Sequence, residues 1–268
     1  YSPREPVAAA TQAVNSVLIP AIVGSVYWDI GLSQAGITDR VAAISFLLML
    51  QAFMAIDAVV LWPKERMVYL RDQSSGMYCT SAFYAGRTVA EMPLHTLFGV
   101  AAALLSSFMF GLETEHLAIW TLIVVLVTLT GAALLNAVGA MAKNMEQGNA
   151  LASVVLVVFA LFNGFFVNKG QVPIIYHWIY EISFLGKGGE AALKNELEGL
   201  TFTCTPEEQE LGCIPTGEAM LRRLDLEDVS VTESCIWLVV MILFYRVAGY
   251  FGLRFMYTGR SFWERLRE

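Results

Sequence analysis

Long runs free of Asp, Glu, Lys and Arg dominate this chain. Pro6 to Trp28, Met92 to Leu112, Leu117 to Ala142 and Gln147 to Asn168 are four of them. Two more carry one charge each: Val41 to Pro63 contains Asp57, and Ser234 to Leu253 contains Arg246. A bilayer core about 30 Å thick takes about 20 apolar helical residues to cross. The pattern therefore predicts an all-α membrane protein with six transmembrane helices, over about 7–28, 41–62, 78–110, 117–141, 147–167 and 233–256. A large extracytoplasmic loop, about 168–232, separates the fifth helix from the sixth. One apolar run could be a buried core helix, but six in 268 residues exceed what a soluble core absorbs. The first run is too long for a cleavable signal peptide.

Composition agrees. Hydrophobic residues make up 56% of the chain and charged residues 15%, against about 45–50% and about 25% in soluble domains. The net charge of −7 argues against nucleic acid as a partner. Between Asn168 and Thr232, eleven acidic residues face five basic ones (Lys169, Lys187, Lys194, Arg222, Arg223), so most of the negative charge sits in one segment. With the N-terminus in the cytoplasm, Arg4, Lys64, Arg66, Arg71, Lys143, Arg254, Arg260, Arg265 and Arg267 all fall inside. The short outer loops then hold only Arg40, which satisfies the positive-inside rule. Both termini are expected in the cytoplasm. Because the first residue is Tyr, the chain is expected to be a segment of something longer.

Catalytic and metal motifs are missing. No phosphate loop, dinucleotide fingerprint, HExxH or GxSxG occurs, and the four cysteines form no CxxC pair. His95, His116 and His177 lie on different segments, so no metal site and no catalytic residue is expected. Charges inside spans are costly and are functional candidates. Arg87, Glu91 and His95 share one helical face, as a relay or, with Arg87 and Glu91, as an i,i+4 ion pair near the interface. Pro93 and the polar residues before it favour the ion pair. Arg246 snorkels or pairs within the bundle. Ala132, Asn136 and Ala140 recur every four residues, as helix-on-helix packing requires.

Aromatic residues mark other stretches. Phe159, Phe162, Phe165 and Phe166 end the fifth span, and Phe53 lies on the second. They are packing residues or the lining of an apolar path suited to hydrophobic substrates rather than ions. Ile174 to Tyr180 suits the headgroup interface or a short re-entrant helix. Cys204 and Cys213 lie nine apart, as a disulfide in an oxidising compartment or as two free thiols.

Several ordered motifs resemble one family. Glu65-Arg66-Met67-Val68-Tyr69-Leu70-Arg71-Asp72, then Gly76-Met77-Tyr78 and Glu91-Met92-Pro93, are similar to the ABC-2 type membrane domain of G-subfamily (White and pleiotropic-drug-resistance type) ABC transporters. Phe162-Asn163-Gly164-Phe165-Phe166-Val167 resembles its fifth-helix end. Glu190-Ala191-Ala192-Leu193-Lys194-Asn195-Glu196, Phe202-Thr203-Cys204, and Cys213 with Thr216-Gly217-Glu218 resemble its large external loop.

The resemblance implies a permease part of an ATP-driven exporter of lipids, sterols or other hydrophobic small molecules. ATP and Mg would bind an ATP-binding domain of the same full-length chain that precedes this segment. A second transmembrane domain, as homodimer or heterodimer, would close a central cavity among membrane lipids, with the plasma membrane as the expected location. The implied cavity residues are Phe53, Val158 and Phe162, and the implied hydrophobic plug is Phe165 with Phe166. The loop from about Lys64 to Gly76, with Glu65, Arg66 and Arg71, would be the coupling segment, and Cys204 and Cys213 would form the intraloop disulfide. The plug pair is often leucine in relatives that export drugs; here both residues are phenylalanine. Two other readings stand beside this one: an ion-coupled carrier using Asp57, Arg87 and Glu91, and a membrane scaffold that transports nothing.

Overall fold

The computed structural model describes residues 6–77, 79–167, 172–204 and 213–257, with backbone alone for 6–12, 57, 114, 256 and 257. Arg4, Lys169, Arg260, Arg265, Arg267 and the side chain of Asp57 lie outside the described residues.

Ten α-helices make up the fold among the described residues: α1 (Pro6–Val26), α2 (Gln34–Phe53), α3 (Ile56–Ser74), α4 (Thr80–Phe110), α5 (Leu117–Met141), α6 (Met145–Leu161), α7 (His177–Ile182), α8 (Phe184–Leu197), α9 (Gly217–Arg223) and α10 (Val231–Tyr257). Local chemistry sets their ends. Ser33, Asn144, Ser183 and Thr216 accept hydrogen bonds from the first-turn amides of α2, α6, α8 and α9. Gly111, at φ 67°, closes α4 in the left-handed conformation that glycine adopts without a Cβ clash.

Four stretches are long and apolar enough to cross a membrane: Gln34–Ser74, Thr80–Phe110, Leu117–Met141 and Val231–Phe255. Two shorter apolar helices, Ala13–Val26 and Met145–Leu161, accompany them. The α5 helix is the packing centre. Its Gly131, Ala132, Ala133, Asn136, Ala137, Gly139 and Ala140 are buried. These small residues let neighbours approach closely: a Cβ on Gly139 would stand 2.6 Å from Cδ1 of Trp62, and one on Gly131 would stand 3.3 Å from Cα of Ala52.

One expectation is corrected. The second span is not one helix over 41–62. It breaks at Met54–Ala55, and α3 then runs on to Ser74, through most of the stretch expected as a loop from Lys64 to Gly76. The reason is a helical period that charged neighbours mask: Trp62, Arg66 and Tyr69, at i, i+4 and i+7, are all buried.

The segment 168–232 carries three helices, α7, α8 and α9, where it is described. Within it, α8 is buried along nearly its whole length. Glycine makes this possible: a Cβ on Gly188 would lie 2.4 Å from Cγ2 of Val127, and one on Gly189 would lie 2.4 Å from the Asn163 carbonyl oxygen.

Candidate functional site

The phenylalanines at the end of α6 are positioned by a turn. Phe162 caps the helix, half-buried, and Gly164 follows at φ 87°. The Asn163 carboxamide oxygen, itself buried, accepts from the Phe165 backbone N–H at 2.9 Å. This turn presents Phe165 and Phe166 side by side, ring centroids 5.1 Å apart and edge to face. They are 41% and 57% exposed, so the pair is a surface feature of the single chain and not part of its core.

With Tyr27, Ala42, Phe46, Met49 and Asn163, the pair lines an apolar pocket of about 80 Å³. That is smaller than the roughly 300–1,000 Å³ of a drug-sized ligand site. Phe53 and Val158 are not in its lining; each is half-buried against the main apolar core, Phe53 at the end of α2 and Val158 on α6. Sequence reading missed Phe46 and Met49. Their spacing with Phe53, at i, i+3 and i+7, places all three on one face of α2 and was the available signal.

At the opposite end of the bundle, a polar cluster ties α3, α4 and α5 together. Arg87 on α4 pairs with Glu65 on α3 and, through Nε at 2.9 Å, with Glu91 one turn on. Its guanidinium lies 4.1 Å from the centre of the Trp62 ring, a cation–π contact. Asn136 Nδ2 donates to the other Glu91 oxygen at 3.0 Å. Arg87 and Glu91 are thus the i,i+4 ion pair of the two readings weighed, extended by Glu65. His95 is buried farther along the same helix. Arg246 on α10 is buried and donates to Thr88 at 3.4 Å.

The three residues implied for coupling differ in environment. Glu65 is held by Arg87. Arg66 is buried and donates to the carbonyls of Ala142 and Lys143, at the α5–α6 turn. Arg71 is exposed, beside Asp72 at 3.4 Å.

A second set of polar contacts joins the N-terminus of α2 to the 172–230 segment. Arg40 pairs with Glu196 of α8 and donates to the carbonyl of Ile30 at 2.7 Å. Burial pushes the Glu196 carboxyl up to about 7, against the opposing pull of Arg40. Cys204 and Cys213 are disulfide-bonded, with Cα atoms 6.2 Å apart. Gln34 grips the chain beside this bond, donating to the Ile214 carbonyl at 2.8 Å and accepting from the Ile214 N–H at 2.9 Å.

The family model of the ABC-2 type transporter matches residues 3–197. The chain belongs to that family. Among curated relatives, this ABC-2 chain is 29% identical over 242 residues to ABC transporter G family member 7 of Arabidopsis thaliana, covering 89% of the chain. It is 25% identical over 261 residues to ABC transporter G family member 1 of Dictyostelium discoideum, covering 94%. It is 23% identical over 257 residues to Protein white of Drosophila melanogaster, again covering 94%. The ABC-2 chain spans only about a third of the length of these relatives, 33% of the first two and 37% of the third. The G-subfamily resemblance of the sequence motifs agrees with these relatives.

Proposed function

We propose that this ABC-2 chain is the membrane-spanning permease part of an ATP-driven exporter that moves lipids, sterols or other hydrophobic small molecules. The observation that carries the reading is the ABC-2 match over residues 3–197, on a scaffold of long apolar helices. In this reading the chain crosses the bilayer six times, through α1, α2–α3, α4, α5, α6 and α10. Both termini face the cytoplasm, and the membrane is the plasma membrane. ATP and Mg are handled by an ATP-binding domain of the same full-length protein, and a second transmembrane domain completes the cavity.

The physical support is local. Phe165 and Phe166, with Phe46 and Met49, offer an apolar wall with no charged residue in it. A second copy of that wall would enlarge the small pocket into a passage that admits apolar solutes and excludes ions, because an ion loses its hydration shell there without a compensating partner. Phe53, Val158 and Phe162 line the approach, and the phenylalanine pair is the valve.

Movement enters through α3. Arg71 is exposed for contact with the ATP-binding domain, while Glu65 and Arg66 fasten α3 to α4 and to the α5–α6 turn. A push on α3 therefore moves the bundle around it. Vesicles holding the full-length protein test this reading through ATP-dependent uptake of a hydrophobic fluorescent solute. Uptake that requires hydrolysable ATP, with altered solute preference in Phe53→Ala, supports it. No ATP-dependent uptake of any apolar solute refutes it.

A further inference from the structure

A cavity of about 290 Å³ opens between α8, the turn that follows α9 and the first turns of α10. That is the lower end of ligand-site volumes, roughly 300 Å³. Its wall is acidic: Glu190, Asp225, Asp228 and Glu233 line it against a single base, Lys187. Lys187 is buried and already engaged, by Glu181 at 2.7 Å and by Glu190 at 3.5 Å. The nearby Arg222 pairs with Glu227, at 3.2 Å. Asp225, Asp228 and Glu233 form no ion pair among the described residues.

The wall is held in place. Leu224 and Leu226 are buried on either side of Asp225, and the Leu226 N–H donates to the Leu221 carbonyl at 2.9 Å. Asp225 itself adopts φ 59°, a left-handed turn that aspartate tolerates better than most residues. A separate feature shows that the cavity is built to receive something. Ser234, on the first turn of α10, is 4% exposed and lines it, yet no hydrogen bond engages its hydroxyl among the described residues. Buried hydroxyls are ordinarily paired. This one is left as donor and acceptor for an occupant.

The lining selects the kind of cation. Among the described residues, no three His, Cys, Asp or Glu side chains converge to hold a metal ion. Carboxylates spread around a cavity suit a positive charge that is itself spread over several atoms. Trp237 lines the same cavity, and an aromatic face beside negative charge is how substituted ammonium ions are recognised. Trp237 also opens onto the exposed face of α10, through Val240, Phe244 and Val247. That helix is long and apolar enough to cross a membrane. An ammonium on a lipid headgroup would arrive along this face, and a soluble amine would arrive from water.

We propose that this cavity binds an organic ammonium ion of the choline class. Asp225, Asp228 and Glu233 meet its charge, the Trp237 ring meets its substituents, and Ser234 pairs with its oxygen. The proposal does not depend on which solute the protein moves.

The test titrates choline chloride against the full-length protein in lipid nanodiscs. It reads Trp237 emission, taken as the difference from Trp237→Leu. In phosphatidylglycerol discs, choline is expected to change this emission saturably, and sodium chloride at equal ionic strength is not. Asp228→Asn and Glu233→Gln, both at exposed positions, are expected to weaken the response about tenfold each, as loss of a charged partner implies. Asp228→Glu is expected to retain it. In phosphatidylcholine discs, emission already at the saturated position, with no response to added choline, supports the proposal and assigns the ammonium to the lipid headgroup. An equal response in both discs supports it and assigns a soluble amine. No saturable response in phosphatidylglycerol discs overturns the proposal. So does an equal response to sodium, or a response undiminished in both Asp228→Asn and Glu233→Gln. These readouts need neither ATP nor transport, so they are decided separately from the export reading.

Discussion

Trp62 on α3 donates its indole N–H to the Asn136 carboxamide oxygen on α5 at 2.7 Å. The same carboxamide donates to Glu91 on α4, so one buried side chain joins three helices. Asn136→Leu would leave the Trp62 N–H and one Glu91 oxygen without these partners. Each lost partner in a buried site costs about 1–3 kcal/mol, although interhelical hydrogen bonds in bilayers reach only about 1.7 kcal/mol. The variant is expected to unfold at a clearly lower temperature in detergent. An unchanged midpoint would show that the three-helix junction contributes nothing.

The Arg87–Glu91 pair acts as a clamp in this account and not as an ion pathway. Glu91→Gln keeps an acceptor for Arg87 or Asn136, and Glu65 still holds Arg87. Transport is therefore expected to persist, with a modest stability loss of about 1 kcal/mol. Collapsing proton and sodium gradients is expected to leave the rate unaltered. Loss of transport on gradient collapse would restore the ion-coupled carrier.

Glu196 gives the fold a pH dependence of definite sign. Its folded value, about 7, lies above the 4.5 of a free glutamate. The native state therefore binds more protons than the unfolded state between those values. Stability from this group falls as pH rises from 4.5 to 7 and is flat on either side. The span corresponds to on the order of 3 kcal/mol at most, at about 1.4 kcal/mol per pH unit. Glu196→Gln, a neutral acceptor for Arg40, is expected to flatten the pH profile of thermal unfolding and to raise the midpoint at pH 8. A steeper profile, or a lower midpoint at pH 8, would show that the ionised pair with Arg40 is the favoured native form.

Gln34 at the start of α2 holds the stretch of chain that the Cys204–Cys213 bond cross-links to itself. A cross-link over a separation of nine residues restricts the unfolded chain by about 2–3 kcal/mol in the loop-entropy view. Reduction is expected to speed proteolysis around residues 198–216, and Gln34→Ala is expected to speed it further. Equal cleavage rates in all four combinations would detach this contact from stability.

Apolar runs made much of the bundle legible. The reading of 117–141 coincides with α5, and 78–110 lies within two residues of α4. Hydropathy reports burial only where the buried residues are apolar. Beyond Lys64, the charges of α3 hide the spacing of Trp62, Arg66 and Tyr69. In α8 the buried positions include Lys187, Glu190, Asn195 and Glu196, which read as solvated loop. The partner of buried Glu196 is Arg40, 156 residues away, and a pairing of that range leaves no local pattern. The wall formed by Phe46 and Met49 was within reach, since both share a helical face with Phe53.

The central claim is that paired aromatic rings form an apolar valve. Its most direct measurement is the ATP-independent leak of a hydrophobic fluorescent solute from vesicles holding full-length Phe165→Ala/Phe166→Ala. The account predicts a leak well above that of the unaltered protein, together with weaker ATP-driven gradients. A leak and a gradient equal to those of the unaltered protein would contradict it.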